Sequence, residues 1–186
     1  QKLEHGEILV IFTVGEESGL DGSKNIEANL LAADYGYILD AGGAPGTIIT
    51  MAPGENDLTV VVHGKAAHAG VAPEMGVNAI VVAGKALANM KLGRIDEETT
   101  ANIGIISGGH ATNIVPDTVT LQCEARSRNI DKLTVQTEHM CQVFREVAAQ
   151  NQATVDIEIR KAYEPFVIGE DAPAVTLAKQ AAMKLG

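Results

Sequence analysis

The pattern of apolar and polar positions changes character near residue 52. Before it, residues 7–14 (Glu-Ile-Leu-Val-Ile-Phe-Thr-Val) are apolar almost without interruption. A strand buried on both faces, as in the parallel sheet of an α/β protein, reads this way. The run ends in the glycine-punctuated stretch Gly15-Glu16-Glu17-Ser18-Gly19-Leu20-Asp21-Gly22. Ser23 then predicts the N-cap of a short helix with Ile26 and Leu30 on one side. Residues 35–40 predict a second strand, closing on Ala41-Gly42-Gly43, so this part reads as a βαβ unit. Gln1 to Gly6 reads as a helix end running into the first strand.

After residue 52 the pattern is that of smaller, half-exposed elements. Pro53-Gly54-Glu55-Asn56 predicts a turn, residues 58–63 a strand, and residues 65–76 a loop with Gly70, Pro73 and Gly76. Residues 77–90 predict a helix whose apolar stripe uses Ile80, Val81, Leu87 and small alanines. Residues 101–106 read as extended. Residues 119–126 alternate strictly, with Val119, Leu121, Cys123 and Ala125 on one face. Residues 130–148 repeat Ile130, Leu133, Met140, Cys141, Phe144, Val147 and Ala148 at helical spacing, and Val155, Ile157 and Ile159 mark a last strand. The order β-α-β-β-α-β is the ferredoxin-like arrangement. The expected fold class is therefore α/β, with a ferredoxin-like domain (residues 52–163) inserted between two pieces of an α/β domain (residues 1–51 and a return helix within 164–186).

Composition removes several function classes. The chain has 186 residues, 24 acidic and 14 basic, for a net charge of −10. That balance offers no electrostatic footprint for nucleic acid, and aromatics at 3% with no Trp give no base-stacking platform. No apolar run approaches the roughly 18–20 residues that span a bilayer, so neither nucleic acid nor membrane is an expected partner. Two cysteines, Cys123 and Cys141, make no disulfide framework and read as reduced thiols of a cytoplasmic chain. The chain does not open on Met and stops inside a helical pattern, so it is expected to be part of a longer protein.

Three groups of residues carry candidate chemistry. Glu16 and Glu17 follow a buried strand, and Asp40 ends the next one. Open α/β sheets bind ligands beyond the carboxyl ends of their strands, where such acids can ligate metal or act as a base. Surface acids are the plain alternative. His68, in the small-residue stretch Ala66-Ala67-His68-Ala69-Gly70, is either an exposed loop histidine or a donor to a developing oxyanion. Asn113 is either a turn former or a substrate contact. Arg126, on the polar side of its strand, is either a solvated charge or a fork for a substrate carboxylate.

These stretches resemble, in order, the motifs of the M20 family of metallopeptidases, with the peptidase T-like branch as nearest in flavour. Thr13-Val14-Gly15-Glu16-Glu17-Ser18-Gly19-Leu20 is similar to its Glu-Glu motif, and Asp40-Ala41-Gly42-Gly43 to its next metal-ligand motif. Residues 64–80 resemble the start of its lid, or dimerisation, domain. Gly108-Gly109, Thr112 to Asp117 and Glu124 to Arg128 complete the match. The resemblance implies that residues 52–163 are a lid inserted into part of a catalytic domain. It implies Glu16 as general base toward a water between two metals, and Glu17 and Asp40 as metal ligands. It implies His68 as a stabiliser of the tetrahedral intermediate across a homodimer formed through the lid. Asn113 and Arg126 would bind the peptide substrate. The cofactor implied is a pair of divalent ions, zinc with cobalt or manganese as substitutes.

The family's His-x-Asp motif, bridging Asp and distal His are missing from this sequence. The chain alone is therefore expected to bind metal weakly and to hydrolyse nothing, with aminopeptidase or tripeptidase activity belonging to the parent protein. Residues 1–50, lacking neighbours, are expected to repack or to make intermolecular contacts. The rival reading is a non-catalytic ferredoxin-like module that dimerises or binds a small ligand, since fold alone does not settle function.

Overall fold

The computed structural model describes residues 5–17, 19–40 and 42–185, and divides at Gly42/Gly43 into two compact units. The reading of the first residues as a helix end falls largely on Gln1–Glu4, outside the described residues.

The first unit contains no strand among its described residues. The expected strands 7–14 and 35–40 are irregular, and the only regular pieces are a helical turn Asp21–Lys24 and a 3₁₀ turn Ala28–Leu31. The reason is physical: a strand exists through ladder hydrogen bonds to a neighbour, and neither segment has one here. Their side chains stay in solvent, with Phe12 92%, Ile38 92% and Leu39 97% exposed. Ser23 is also not a cap. The helical turn starts two residues earlier, and the Ser23 hydroxyl donates to the Leu20 carbonyl at 3.1 Å.

The second unit is built on four long strands and two helices: β1 (Gly54–His63), α1 (Ala79–Asn89), β2 (Thr99–Gly108), β3 (Thr118–Ser127), α2 (Ile130–Gln150) and β4 (Thr154–Tyr163). A final helix, α3, spans Pro173–Leu185. The sheet order is β2-β3-β1-β4, all neighbours antiparallel, with Gly93–Arg94 added outside β2. That is the ferredoxin-like order expected from the pattern. The turn expected at residues 53–56 is instead the start of β1. Gly54 pairs with Ser127, and a Cβ there would lie 2.5 Å from the Pro165 ring, so a glycine lets two neighbouring segments close.

Alternation along each strand sorts the two faces of the sheet. Leu58, Val60 and Val62 of β1 and Val119, Leu121, Cys123 and Ala125 of β3 are buried against both helices. From α2 come Leu133, Met140, Cys141, Phe144, Val147 and Ala148, as expected, whereas Ile130 is exposed. From α1 the buried stripe is Ala79, Val82, Ala83 and Ala86. Ile80 and Val81, expected in that stripe, face outward at 43% and 50% exposure. Both helices are capped by asparagine: Asn78 Oδ1 accepts from Val81 N (3.1 Å), and Asn129 Oδ1 from Asp131 N (2.9 Å) and Lys132 N (3.1 Å). The backbone of Lys91, past the end of α1, is satisfied from α2: His139 Nε2 accepts its N–H and Gln136 Nε2 donates to its carbonyl.

Two predictions follow from this packing. Phe144 is the largest fully buried side chain. Phe144→Ala should cost about 3–5 kcal/mol, read as a lowered urea midpoint. Asp96 sits in the turn before β2, where its Oδ1 accepts from Glu98 N (2.9 Å) and Thr99 N (2.8 Å). The Glu98 amide foremost, helped by Thr99 and Lys132, holds its carboxyl down to about 2 from the ordinary 3.8. A folded-state value below the unfolded one stabilises above the unfolded value and is lost as pH falls through the folded one. The melting temperature should therefore drop between about pH 4 and about pH 2, and Asp96→Ala should flatten that part of the profile.

Candidate active site

The candidate residues fall in both units, and each group has its own setting. In the first unit, Glu16 and Glu17 form a turn after Gly15 (φ 70°). The Glu16 carbonyl accepts from Gly19 N (3.2 Å) and Leu20 N (3.1 Å), which fixes the backbone while both side chains are exposed. Asp40 is likewise exposed. Among the described residues no group of three or more His, Cys, Asp or Glu is arranged to hold a metal ion. Glu17 and Asp40 offer oxygen donors of a type that divalent ions accept, but a catalytic zinc site takes three protein ligands. The described residues therefore do not by themselves make a metal pair's site.

In the second unit the structure brings His68 and Asn113 together. Residues 67–68 and 114–115 form a small antiparallel ladder, with His68 opposite Ile114. The Asn113 carbonyl accepts from Ala69 N at 2.9 Å. The strip is pinned further down by Lys65 and Val77, which exchange backbone bonds of 2.8 and 2.9 Å, and by Gly64 N donating to Asp117 O at 2.8 Å. What reads as a loop in the sequence is thus a braced ribbon. The His68 ring is exposed, and its Nδ1 accepts from Gly70 N at 3.2 Å. That bond places the proton of the neutral ring on Nε2, which leaves Nε2 as a donor on an exposed residue.

Arg126 is neither free nor fully solvated. It lies on the outer face of β3, opposite Glu55 of β1. Its Nη2 donates to Glu124 Oε2 at 2.9 Å and approaches Glu55 Oε2 at 3.2 Å. The Tyr163 hydroxyl donates to that same Glu55 oxygen. The Glu124 hydrogen bond, then the charge of Glu55, raise the Arg126 pKa. Burial first, then Glu55, push the Tyr163 hydroxyl up to about 12. Arg126 Nε is secluded from solvent with no partner.

A family model described as the peptidase dimerisation domain matches residues 53–152. The chain belongs to the M20 peptidase family. Among solved structures, this M20 chain is similar to a tripeptidase from Staphylococcus aureus (43% identity, TM-score 0.90, 94% of this chain and 46% of that one). It is also similar to the aminopeptidase PepT of Bacillus cereus (46% identity, TM-score 0.86, 94% of this chain and 47% of that one). Along its whole length it is 46% identical to YqjE of Bacillus subtilis, covering 50% of that protein. The chain thus spans about half the length of these relatives.

The sequence alone does not single out the residues that surround Arg126. Glu55 has turn composition around it, Tyr163 lies in no motif, and Glu124, though in the same matched stretch as Arg126, carries no role of its own there. The available signal was position: all three lie on the polar register of adjacent strands near Arg126. No helix of the described residues is long and apolar enough to cross a membrane.

The ribbon carrying His68 yields a prediction. A Cβ on Gly76 would lie 2.9 Å from Ala67 Cβ and 3.0 Å from both the Lys65 carbonyl and Val115 Cγ1. Gly76→Ala should therefore shift amide resonances of residues 65–68 and 113–115, while His68→Ala, at an exposed ring, changes unfolding free energy by less than about 0.5 kcal/mol.

Proposed function

We propose that the chain contributes the lid and part of the catalytic domain of a metal-dependent M20 peptidase that hydrolyses short peptides, in the manner of an aminopeptidase or tripeptidase. The observation that carries this reading is the likeness to the tripeptidase and PepT over 94% of the chain. M20 peptidases generally depend on metal ions. Zinc is the ion proposed, as a pair, with cobalt or manganese as substitutes. Glu17 and Asp40 would supply donors, and the rest would come from outside this chain. The hydrolytic step belongs to that longer, cytoplasmic polypeptide, and this chain alone is expected to be inactive.

In this reading Glu16 removes a proton from the attacking water, a task suited to an exposed carboxylate near a cation. His68 Nε2 donates to the developing oxyanion. Asn113 and Arg126 hold the substrate backbone and its carboxylate. The exposed apolar side chains of residues 8–14 and 37–39 would be covered by the remainder of the catalytic domain, which would also make them strands.

The homodimer is proposed to form through one particular edge of the lid. The two edges of the sheet differ in chemistry. The β4 edge carries Asp156, Glu158, Arg160 and Lys161, charges that discourage further pairing. The β2 edge is paired outward only at Thr100 and Ala101. Its remainder is uncharged, with Ile105 54% and Ile106 52% exposed, and Ile80 of α1 reaches Gly109 just past its end. Addition of the same edge from a second copy would continue the sheet and cover these side chains.

Two experiments test the proposal. The longer protein should cleave tripeptides, lose activity on chelation, and regain it with zinc. Glu16→Gln should lower kcat by about 10²–10⁴ with little change in KM; full activity after exhaustive metal removal rejects the reading. Ile105→Lys should convert a dimer into a monomer by light scattering with the far-ultraviolet spectrum unchanged. An undisturbed dimer places the interface elsewhere.

A further inference from the structure

The group around Arg126 has a feature that the proposed role of that residue does not use. Glu55 is a carboxylate in a buried residue, 8% exposed, on the otherwise polar outer face of the sheet. It lies where β1 is flanked by β3 and β4, and its register partners are Arg126 on one side and Tyr163 on the other. One oxygen, Oε2, takes both the Tyr163 hydroxyl and Arg126 Nη2. Glu124, two residues before Arg126 on the same face, takes Nη2 as well. The guanidinium is therefore gripped along its Nη2 edge from two strands. Its Nε is enclosed without a partner, and both carboxylates take Nη2, not Nη1.

A substrate anion meets an unusual balance here. One guanidinium faces two carboxylates, so the group as a whole does not attract anions through charge. If attraction were all that mattered, Glu55 would be a liability. A gripped guanidinium instead presents its donors at a fixed angle, and a preorganised fork loses less side-chain entropy on binding a carboxylate.

We propose that Glu55, seated by Tyr163, is a positioning residue that fixes Arg126 so that its Nη1 edge receives the C-terminal carboxylate of a short peptide. The inference rests on the reading of Arg126 as a substrate contact. Gly54 supports it: the missing side chain lets Pro165 approach, which brings the β4 end with Tyr163 against the start of β1. The device is a three-strand clamp rather than a surface ion pair.

The test separates orientation from charge, because the two act in opposite directions. Steady-state kinetics are measured in the active peptidase on one tripeptide and on its C-terminal amide. Glu55→Gln removes a negative charge, which on charge alone would lower KM for the free acid. The positioning role predicts the reverse: KM for the free acid rises roughly tenfold, with kcat within about twofold and the amide unaffected. Tyr163→Phe leaves the charge unchanged and should raise the same KM by about threefold, which keeps the test alive if Glu55→Gln does not fold. Arg126→Ala should erase the distinction between acid and amide. If it does so while Glu55→Gln and Tyr163→Phe leave or lower KM for the acid, positioning is overturned and the role of Arg126 stands. If Arg126→Ala keeps the distinction, both are overturned.

Discussion

Ten consecutive antiparallel pairs between β1 and β3, Gly54 with Ser127 through His63 with Thr118, set where nearly everything else in the second unit lies. Side chains alternate across a strand, so this register decides which residues enter the core. It turns Leu58, Val60 and Val62 inward beside Val119, Leu121 and Cys123, and it turns Glu55 outward beside Arg126. A slip of β1 by one residue would turn Glu55 toward the core, away from Arg126, and Leu58, Val60 and Val62 toward solvent. Core and candidate substrate contact are thus one constraint. The same pairing ends at His63, and Gly64 N continues it by donating to Asp117. From that point the chain is committed to the ribbon that carries His68 beside Asn113.

The helices show how size, rather than polarity alone, directs a face. α1 buries Ala79, Ala83 and Ala86 with Val82, and leaves Ile80 and Val81 in solvent. Small side chains allow the helix to approach the sheet and α2 closely, and close approach compensates for the modest area each buries. Ile80 and Val81 are then free for another surface. A helix that turns two large apolar residues away from its own core carries apolar surface that a single domain does not account for.

Most of the second unit was legible in the sequence because its contacts are short in pattern: strict alternation in residues 119–126 and a regular three-and-four repeat in residues 130–148. The errors have physical causes. The Pro53-Gly54 pair has turn composition, but Gly54 is there because Pro165, far away in the chain, occupies the space of a side chain. Ile80 and Val81 outrank alanine in hydrophobicity, yet proximity favours alanine. Of the candidate site, His68, Asn113 and Arg126 could be named from residue type and motif. Glu55 and Tyr163 could not, since their value lies in a cross-strand meeting that no local window contains.

The contrast between the two units carries the same lesson to the carboxylates of the first unit. Each long strand of the second unit finds its ladder partner within this chain, so an apolar run becomes a strand and its side chains acquire directions. Residues 7–14 are more uniformly apolar than any of those strands, and still form none, because propensity supplies no partner. A carboxylate at a strand end is aimed only as well as the strand that bears it. The backbone bonds at Gly19 and Leu20 shape the turn of Glu16 and Glu17 without aiming their side chains. His68, Asn113 and Arg126 are therefore held by bonds within the second unit, whereas on the proposed reading the acids would gain their geometry when neighbouring strands close on residues 7–14 and 35–40. On that reading metal binding and completion of the sheet would be coupled, since ordering the strands is part of the free energy of forming the site.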